Sequence, residues 1–117
     1  MRVRGGVVTR RRHKRLLKLA KGYRGRRGNC FQLAERAVEK GLQYAYRDRK
    51  AKKRHFRSLW VVRLNAAARS SGLSYSRFIR GLRLAEIKLD RKVLSEMCLK
   101  NPAEFSEIVN KAKLALG

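Results

Sequence analysis

Acidic residues are scarce in this sequence. The chain of 117 residues has 8 Asp and Glu against 32 Lys and Arg, so its formal net charge is +24. Such an excess strains a compact chain by self-repulsion unless a polyanion neutralises it. The charge therefore predicts a negatively charged partner. The length predicts one domain, or a smaller domain with an extension, and leaves no room for a two-domain enzyme.

Long apolar runs are also missing. No stretch approaches the roughly 20 apolar residues that a membrane-spanning helix needs, and the N-terminal residues lack the apolar run of a secretory signal. We therefore expect no membrane partner and no secretion by that route. At 44% hydrophobic residues, however, the chain has too many apolar side chains to be only a disordered basic tail.

Cysteine and histidine are few and widely spaced. Cys30 and Cys98 have no second Cys or His at metal-ligand spacing, so neither a zinc site nor a disulfide framework is predicted. His13 and His55 lie in basic runs without a neighbouring carboxylate to orient the ring. Phosphate-binding loops of the Walker type and serine-nucleophile motifs are lacking too. We predict no catalytic residue, no cofactor, no small-molecule substrate and no enzyme activity.

The positive charge is concentrated in the N-terminal half. Residues 1–60 carry 21 basic and 3 acidic side chains, whereas residues 61–117 carry 11 and 5. Residues 1–29 alone hold 12 basic residues, five glycines and no acid. Because such a segment buries too little apolar area to offset its ordering entropy, residues 1–29 are predicted to form an extended tail that orders only on a partner.

A single long helix is predicted next, from about Cys30 to Ser71. This stretch has no proline and is rich in good helix formers. About 40 residues at 1.5 Å each would extend about 60 Å, so residues 30–58 are expected to project from the rest. Its early apolar residues recur in steps of three and four and form only a thin stripe, namely Phe31, Ala34, Val38, Leu42 and Ala45.

Residues 59–117 are predicted to form a small helical globular domain, which makes the fold all-α. Gly72 is placed to end the long helix, Ser74 to cap a second helix over Tyr75–Ala85, and Asp90 to cap a third. Asn101, Pro102 and Glu104 predict the start of a last helix with a capping box. The predicted packing stripe comprises Leu59, Trp60, Leu64, Leu73, Phe78, Ile79 and Leu82.

Three consecutive basic tracts indicate nucleic-acid binding. The first tract, residues 2–21, could thread a groove and neutralise phosphates. The second, residues 22–28, places Tyr23 between glycines where it can stack on a base. The third, residues 44–57, makes the long helix basic around nearly its whole circumference. Arginine outnumbers lysine, which favours bidentate phosphate contacts. RNA is preferred over DNA because folded RNA offers crevices and unstacked bases.

Residues 53–69, KRHFRSLWVVRLNAAAR, resemble the signature of the bacterial-type L20 family of large-subunit ribosomal proteins. Other pieces fit in order: GVV at 6–8, RRHK at 11–14, AKGYRG at 20–25, YAYRDR at 44–49, YSRFI at 75–79 and DRKVL at 90–94. The resemblance runs essentially from end to end. It implies a protein that binds large-subunit (23S-type) ribosomal RNA early in subunit assembly, beside neighbouring ribosomal proteins.

Together, the basic tracts and the resemblance predict a set of RNA-binding residues. The resemblance alone contributes the last three. The predicted residues are Arg2, Arg4, Arg10, Arg11, Arg12, His13, Lys14, Arg15, Lys18, Lys21, Tyr23, Arg24, Arg26, Arg27, Tyr46, Arg47, Arg49, Lys50, Lys53, Arg54, Arg57, Arg63, Asn65 and Arg69.

Two other functions remain open at this point. A helix-turn-helix protein could present residues 58–69 and 75–83 to duplex DNA, and a basic chaperone or membrane-active peptide could bind anionic lipid, although the helices lack sharply segregated faces. Residues 28–30, GNC, resemble organellar, especially plant-type mitochondrial, members of the family. The expected location is therefore the large ribosomal subunit of a mitochondrion, with a plastid or the bacterial cytoplasm as alternatives.

Overall fold

The computed structural model describes residues 5–117, and within them α-helix is the only regular secondary structure. Its six α-helices are α1 (Gly6–Leu19), α2 (Arg26–Asn29), α3 (Phe31–Ser70), α4 (Tyr75–Leu84), α5 (Arg91–Lys100) and α6 (Pro102–Leu114). The all-α prediction is confirmed. The long helix begins one residue after, and ends one residue before, the predicted limits.

The N-terminal segment is not extended, and this corrects the prediction for the part of it that is described. Residues 6–19 form α1, and residues 26–29 form the short α2. The composition of residues 1–29 reflects only the apolar area that this segment itself supplies. Leu16 and Leu17 instead pack against a cluster formed with α3, which provides the missing area. The predicted contact residues Arg2 and Arg4 lie outside the described residues.

The chain divides into two compact units, the first ending at Lys50 and the second spanning Ala51–Gly117. The core of the first unit is small: Ala20, Ala34 and Val38 are buried, with Leu16 and Leu17 against them. Leu42 and Ala45, which the stripe on α3 included, are exposed because the contacts with α1 involve only the first turns of α3. The predicted stripe is therefore shorter than expected.

The second unit contains the larger core, in which residues from α3, α4, α5 and α6 meet. Phe78 packs against Phe105 with ring centroids 5.7 Å apart. The predicted packing of Leu64, Leu73, Phe78 and Leu82 is confirmed, whereas Leu59 is exposed and Trp60 is only half-buried. The buried residues of this core are Leu64, Ala68, Leu73, Phe78, Leu82, Leu94, Phe105, Val109 and Ala112.

The helices of this unit begin and end at or next to the predicted residues, but two of the predicted N-cap side chains do not form capping hydrogen bonds. Gly72 has φ +81°, and the Leu73 N–H donates to the Ala68 carbonyl oxygen at 2.9 Å, which closes α3. The Ser74 hydroxyl accepts a hydrogen bond from the Arg77 N–H. Within residues 5–117, Asp90 and Asn101 occupy N-cap positions without a side-chain capping bond, so the predicted capping box does not form.

Candidate nucleic-acid interface

Helix α1 carries the first group of predicted RNA-binding residues. Arg10, Arg11, Arg12, Lys14, Arg15 and Lys18 are all exposed on it. His13 differs, because its ring stacks on Phe31 of α3 with centroids 3.8 Å apart. One face of the imidazole is therefore committed to protein packing, while the neighbouring cations remain available to a ligand.

The second group lies between α1 and α3. Lys21, Tyr23, Arg24, Arg26 and Arg27 are all exposed. The chain turns at Gly22 and Gly25, whose φ angles of +90° and +63° disfavour residues with a side chain. These turns bring Tyr23 against α3, where an added Cβ on Gly41 would lie 2.6 Å from the Tyr23 hydroxyl oxygen.

In the first unit, α3 presents Tyr46, Arg47, Arg49 and Lys50 to solvent. The Lys50 Nζ lies 4.4 Å from the centre of the Tyr46 ring. The Arg47 Nε donates to Asp48 at 2.9 Å, and this hydrogen bond raises the pKa of the Arg47 guanidinium. Both partners are well exposed, so the pair adds little stability and does not remove Arg47 from the surface.

In the second unit, α3 continues with exposed Lys53, Arg54, Arg57, Arg63 and Arg69, and with half-buried Asn65. The Ser58 hydroxyl donates a hydrogen bond to the main-chain carbonyl oxygen of Arg54, so this bond does not involve the Arg54 guanidinium. The exposed residues are accessible, as the predicted interface requires. Asn65 offers less surface than these residues, because it is half-buried.

Carboxylates neutralise few of these cations. Across residues 5–117 only two ion pairs occur, Arg47 with Asp48 and Lys100 with Glu96. The second pair lowers the pKa of Glu96 and raises that of Lys100 through their shared hydrogen bond. The remaining basic side chains keep their charge available for phosphate, and each contact with phosphate would release counterions.

Metal-ligating side chains are not clustered in the described part of the chain. In residues 5–117, no three His, Cys, Asp or Glu side chains lie close enough to share a metal ion. Burial raises the pKa of the Cys98 thiol, which opposes the thiolate form that a nucleophile needs.

None of the helices within residues 5–117 combines the length and the apolar character that a membrane span requires.

The structure brings together residues that the sequence prediction treated separately. Tyr23, Arg24 and Arg27 face Arg36, Lys40 and Tyr44 of α3 across a groove of about 790 Å³. The predicted set omitted these three α3 residues. Their spacing, 36, 40 and 44, places them on one helix face and was the available signal. Only the packing of the preceding loop shows that this face lines a groove.

Comparison with known proteins agrees with these features. The sequence model of the family described as Ribosomal protein L20 matches residues 2–108. A protein of Methylobacterium nodulans named large ribosomal subunit protein bL20 is 61% identical over 98% of this chain and 92% of its own length. Proteins of the same name from Leptothrix cholodnii and Ehrlichia canis are 59% and 60% identical over 98% of this chain, and over 98% and 93% of their own lengths. The chain belongs to the ribosomal protein L20 family.

Proposed function

We propose that this chain is a non-catalytic structural constituent of the large ribosomal subunit. In this role it binds large-subunit (23S-type) ribosomal RNA and supports RNA folding and early subunit assembly. Membership of the family supports the proposal, as do relatives that are named large ribosomal subunit proteins. Neighbouring large-subunit proteins are the other expected partners.

The observation that carries the proposal is the density of exposed, unpaired cations on α1, α2 and α3. Helix α1 has 14 residues and no acid in its first turn, and six of its basic side chains reach solvent. Phosphates of folded RNA repel one another, so a protein that places cations among them lowers the cost of bringing RNA segments together. This is how binding without catalysis can assist RNA folding.

We also propose that the parts of the chain have different tasks. Residues 1–29 would bind RNA, residues 30–58 would carry the basic part of α3 into contact with RNA, and residues 59–117 would provide a folded domain. The concentration of buried apolar residues after Leu64 supports the last assignment. The exposure of Arg47, Arg54 and Arg57 supports the second.

The proposed place of action is the ribosome. The relatives described above are bacterial proteins, which supports a cytoplasmic ribosome of bacterial type. Residues 28–30 are the feature that favours an organelle, and mitochondrial location stays a prediction.

Sedimentation of cell and organelle extracts tests the proposal directly. The protein is expected to co-sediment with the large subunit and to crosslink to its RNA. Recovery only in the soluble fraction would contradict the proposal. Preferential binding to duplex DNA over large-subunit RNA in a competition assay would instead support the helix-turn-helix alternative.

A further inference from the structure

The groove between the segment Ala20–Arg27 and α3 suggests a specific role in RNA recognition. We infer that it binds one unpaired nucleotide of the ribosomal RNA, with the base stacked on Tyr23 and the phosphate held by surrounding cations. This inference rests on the proposed function. It adds a defined pocket to an interface otherwise described by exposed charge.

One wall of the groove is a single face of α3. The residues lining it are Leu33, Arg36, Ala37, Lys40, Gly41 and Tyr44. Steps of three and four keep them on one side of the helix. This face is separate from Ala34 and Val38, which pack in the apolar cluster with Ala20. The same helical turns therefore hold α1 on one face and leave a second face open for a ligand.

Tyr23 forms the other wall, and two glycines allow its position. A Cβ on Gly41 would lie 2.6 Å from the Tyr23 hydroxyl oxygen, and a Cβ on Gly28 would lie 2.6 Å from the Tyr23 carbonyl oxygen. Glycine weakens a helix interior, and at position 41 the absence of a Cβ leaves room for the Tyr23 hydroxyl group. The Tyr23 side chain remains partly accessible, at 39% exposure, and can therefore offer ring surface for stacking.

Four cations line the groove together with Tyr23: Arg24, Arg27, Arg36 and Lys40. None of them makes an ion pair with any carboxylate of residues 5–117. Guanidinium groups match phosphate oxygens in a bidentate geometry. Lys40 is further positioned by Tyr44, whose ring centre lies 5.0 Å from the Lys40 Nζ. The groove thus combines an aromatic platform with unpaired cations at its edge.

The groove is large enough for one nucleotide, and its aromatic wall favours an unpaired one. About 790 Å³ is in the range of pockets for small molecules, roughly 300–1,000 Å³. A paired base is held by its partner and by its stacked neighbours, whereas a base in a loop or bulge can turn outward and stack on an aromatic side chain.

Substitution of Tyr23 tests the stacking contact in the full chain, with in vitro transcribed large-subunit RNA as the probe. Tyr23→Leu is expected to weaken binding by about 5- to 150-fold, the range for loss of base–aromatic stacking. The slope of log affinity against log salt should stay unchanged, because no charge is removed. Tyr23→Phe, the matched control, should bind like the unsubstituted chain.

Substitution of Arg36 tests the phosphate contact. Arg36→Gln is expected to reduce the magnitude of the salt slope by about 0.7–0.9, the value for one phosphate. Lys113→Gln removes one exposed charge from the last turn of α6, outside the groove, and should leave the slope unchanged. Circular dichroism of each variant establishes that the helices remain.

Ultraviolet crosslinking of the unsubstituted complex gives a readout that does not depend on a variant. Tyr23 should crosslink to an unpaired nucleotide, mapped by reverse transcription and mass spectrometry. The inference is overturned if Tyr23→Leu binds as tightly as Tyr23→Phe, or if the crosslink falls on a paired nucleotide. In either case the proposed function stands if the unsubstituted chain still binds the RNA. If the unsubstituted chain does not bind the RNA, the proposed function itself is refuted.

Discussion

At the residue scale, a single methyl group at Gly81 would collide with the backbone of α6. A Cβ built there lies 2.5 Å from the Ala112 carbonyl oxygen and 3.0 Å from the Ala112 Cβ. Backbone atoms cannot rotate away as a flexible side chain can. Gly81 therefore sets the closest approach of α4 and α6, and the sequence showed it only as one glycine among nine.

We expect Gly81→Ala to destabilise the second unit by about 1–3 kcal/mol, the usual cost of overpacking a core. Urea denaturation followed by circular dichroism measures this loss. Gly6→Ala is the matched control, because a Cβ on Gly6 would meet nothing within 4 Å. A Gly81→Ala protein as stable as the control would show that α4 and α6 do not pack this closely.

At the scale of the element, α3 is one helix with three differently stabilised stretches. Ala34 and Val38 are buried in the first unit, and Leu64 and Ala68 in the second. From Leu42 to Leu59 every residue except Ala51 is exposed. That middle stretch depends on intrinsic helix propensity and on local pairs such as Tyr46 with Lys50. The absence of proline and the abundance of helix-forming residues predicted α3, but not which of its turns would be covered.

Because α3 is unevenly buried, the same Leu→Ala substitution at two of its positions is expected to change the free energy of unfolding by different amounts. Leu64→Ala should cost about 2–5 kcal/mol of unfolding free energy, because it leaves a cavity at a fully buried position. Leu42→Ala, on the same helix at 60% exposure, should change stability little. Chemical denaturation of both variants makes the comparison. Equal losses would contradict the division of α3 into covered and exposed stretches.

Helix α1 shows why the prediction of an extended tail was wrong. Its own residues supply little apolar area, and none of them is buried. Leu16 and Leu17 are half-buried because Ala34 and Val38 of α3 lie beside them. Burial here is a property of the pair of helices, so composition read along one segment underestimates it. Good helix formers such as arginine, lysine and leucine then suffice for the rest of α1.

At the scale of the whole molecule, the +24 charge is compatible with folding because charge and core occupy different residues. The large core is built from residues from Leu64 onward, whereas the run without acidic residues ends before Glu35. Residues 61–117, which contain the large core, carry a net charge of +6, whereas residues 1–60 carry +18. Repulsion between like charges is therefore weaker in the part of the chain that packs most closely. The unpaired cations remain on the surface, where a polyanion can neutralise them.

This distribution predicts a steep salt dependence of RNA binding. If about 8 to 12 phosphates are neutralised, the slope of log affinity against log salt should be about −6 to −10. Filter binding of the full chain to large-subunit RNA over a series of potassium chloride concentrations measures it. A flat response would contradict binding driven by counterion release.

The sequence by itself determined the class of partner, the all-α fold, the limits of α3 and the helix boundaries at Gly72, Ser74 and Pro102. These features follow from local propensity, capping residues and charge, which act over a few neighbouring residues. Tertiary structure decided that residues 6–19 are helical, that Leu59 is exposed and Trp60 only half-buried, and that Tyr23 lies against Gly41. Each of these depends on which distant surface covers a given side chain, and the order of residues along one segment does not specify that surface.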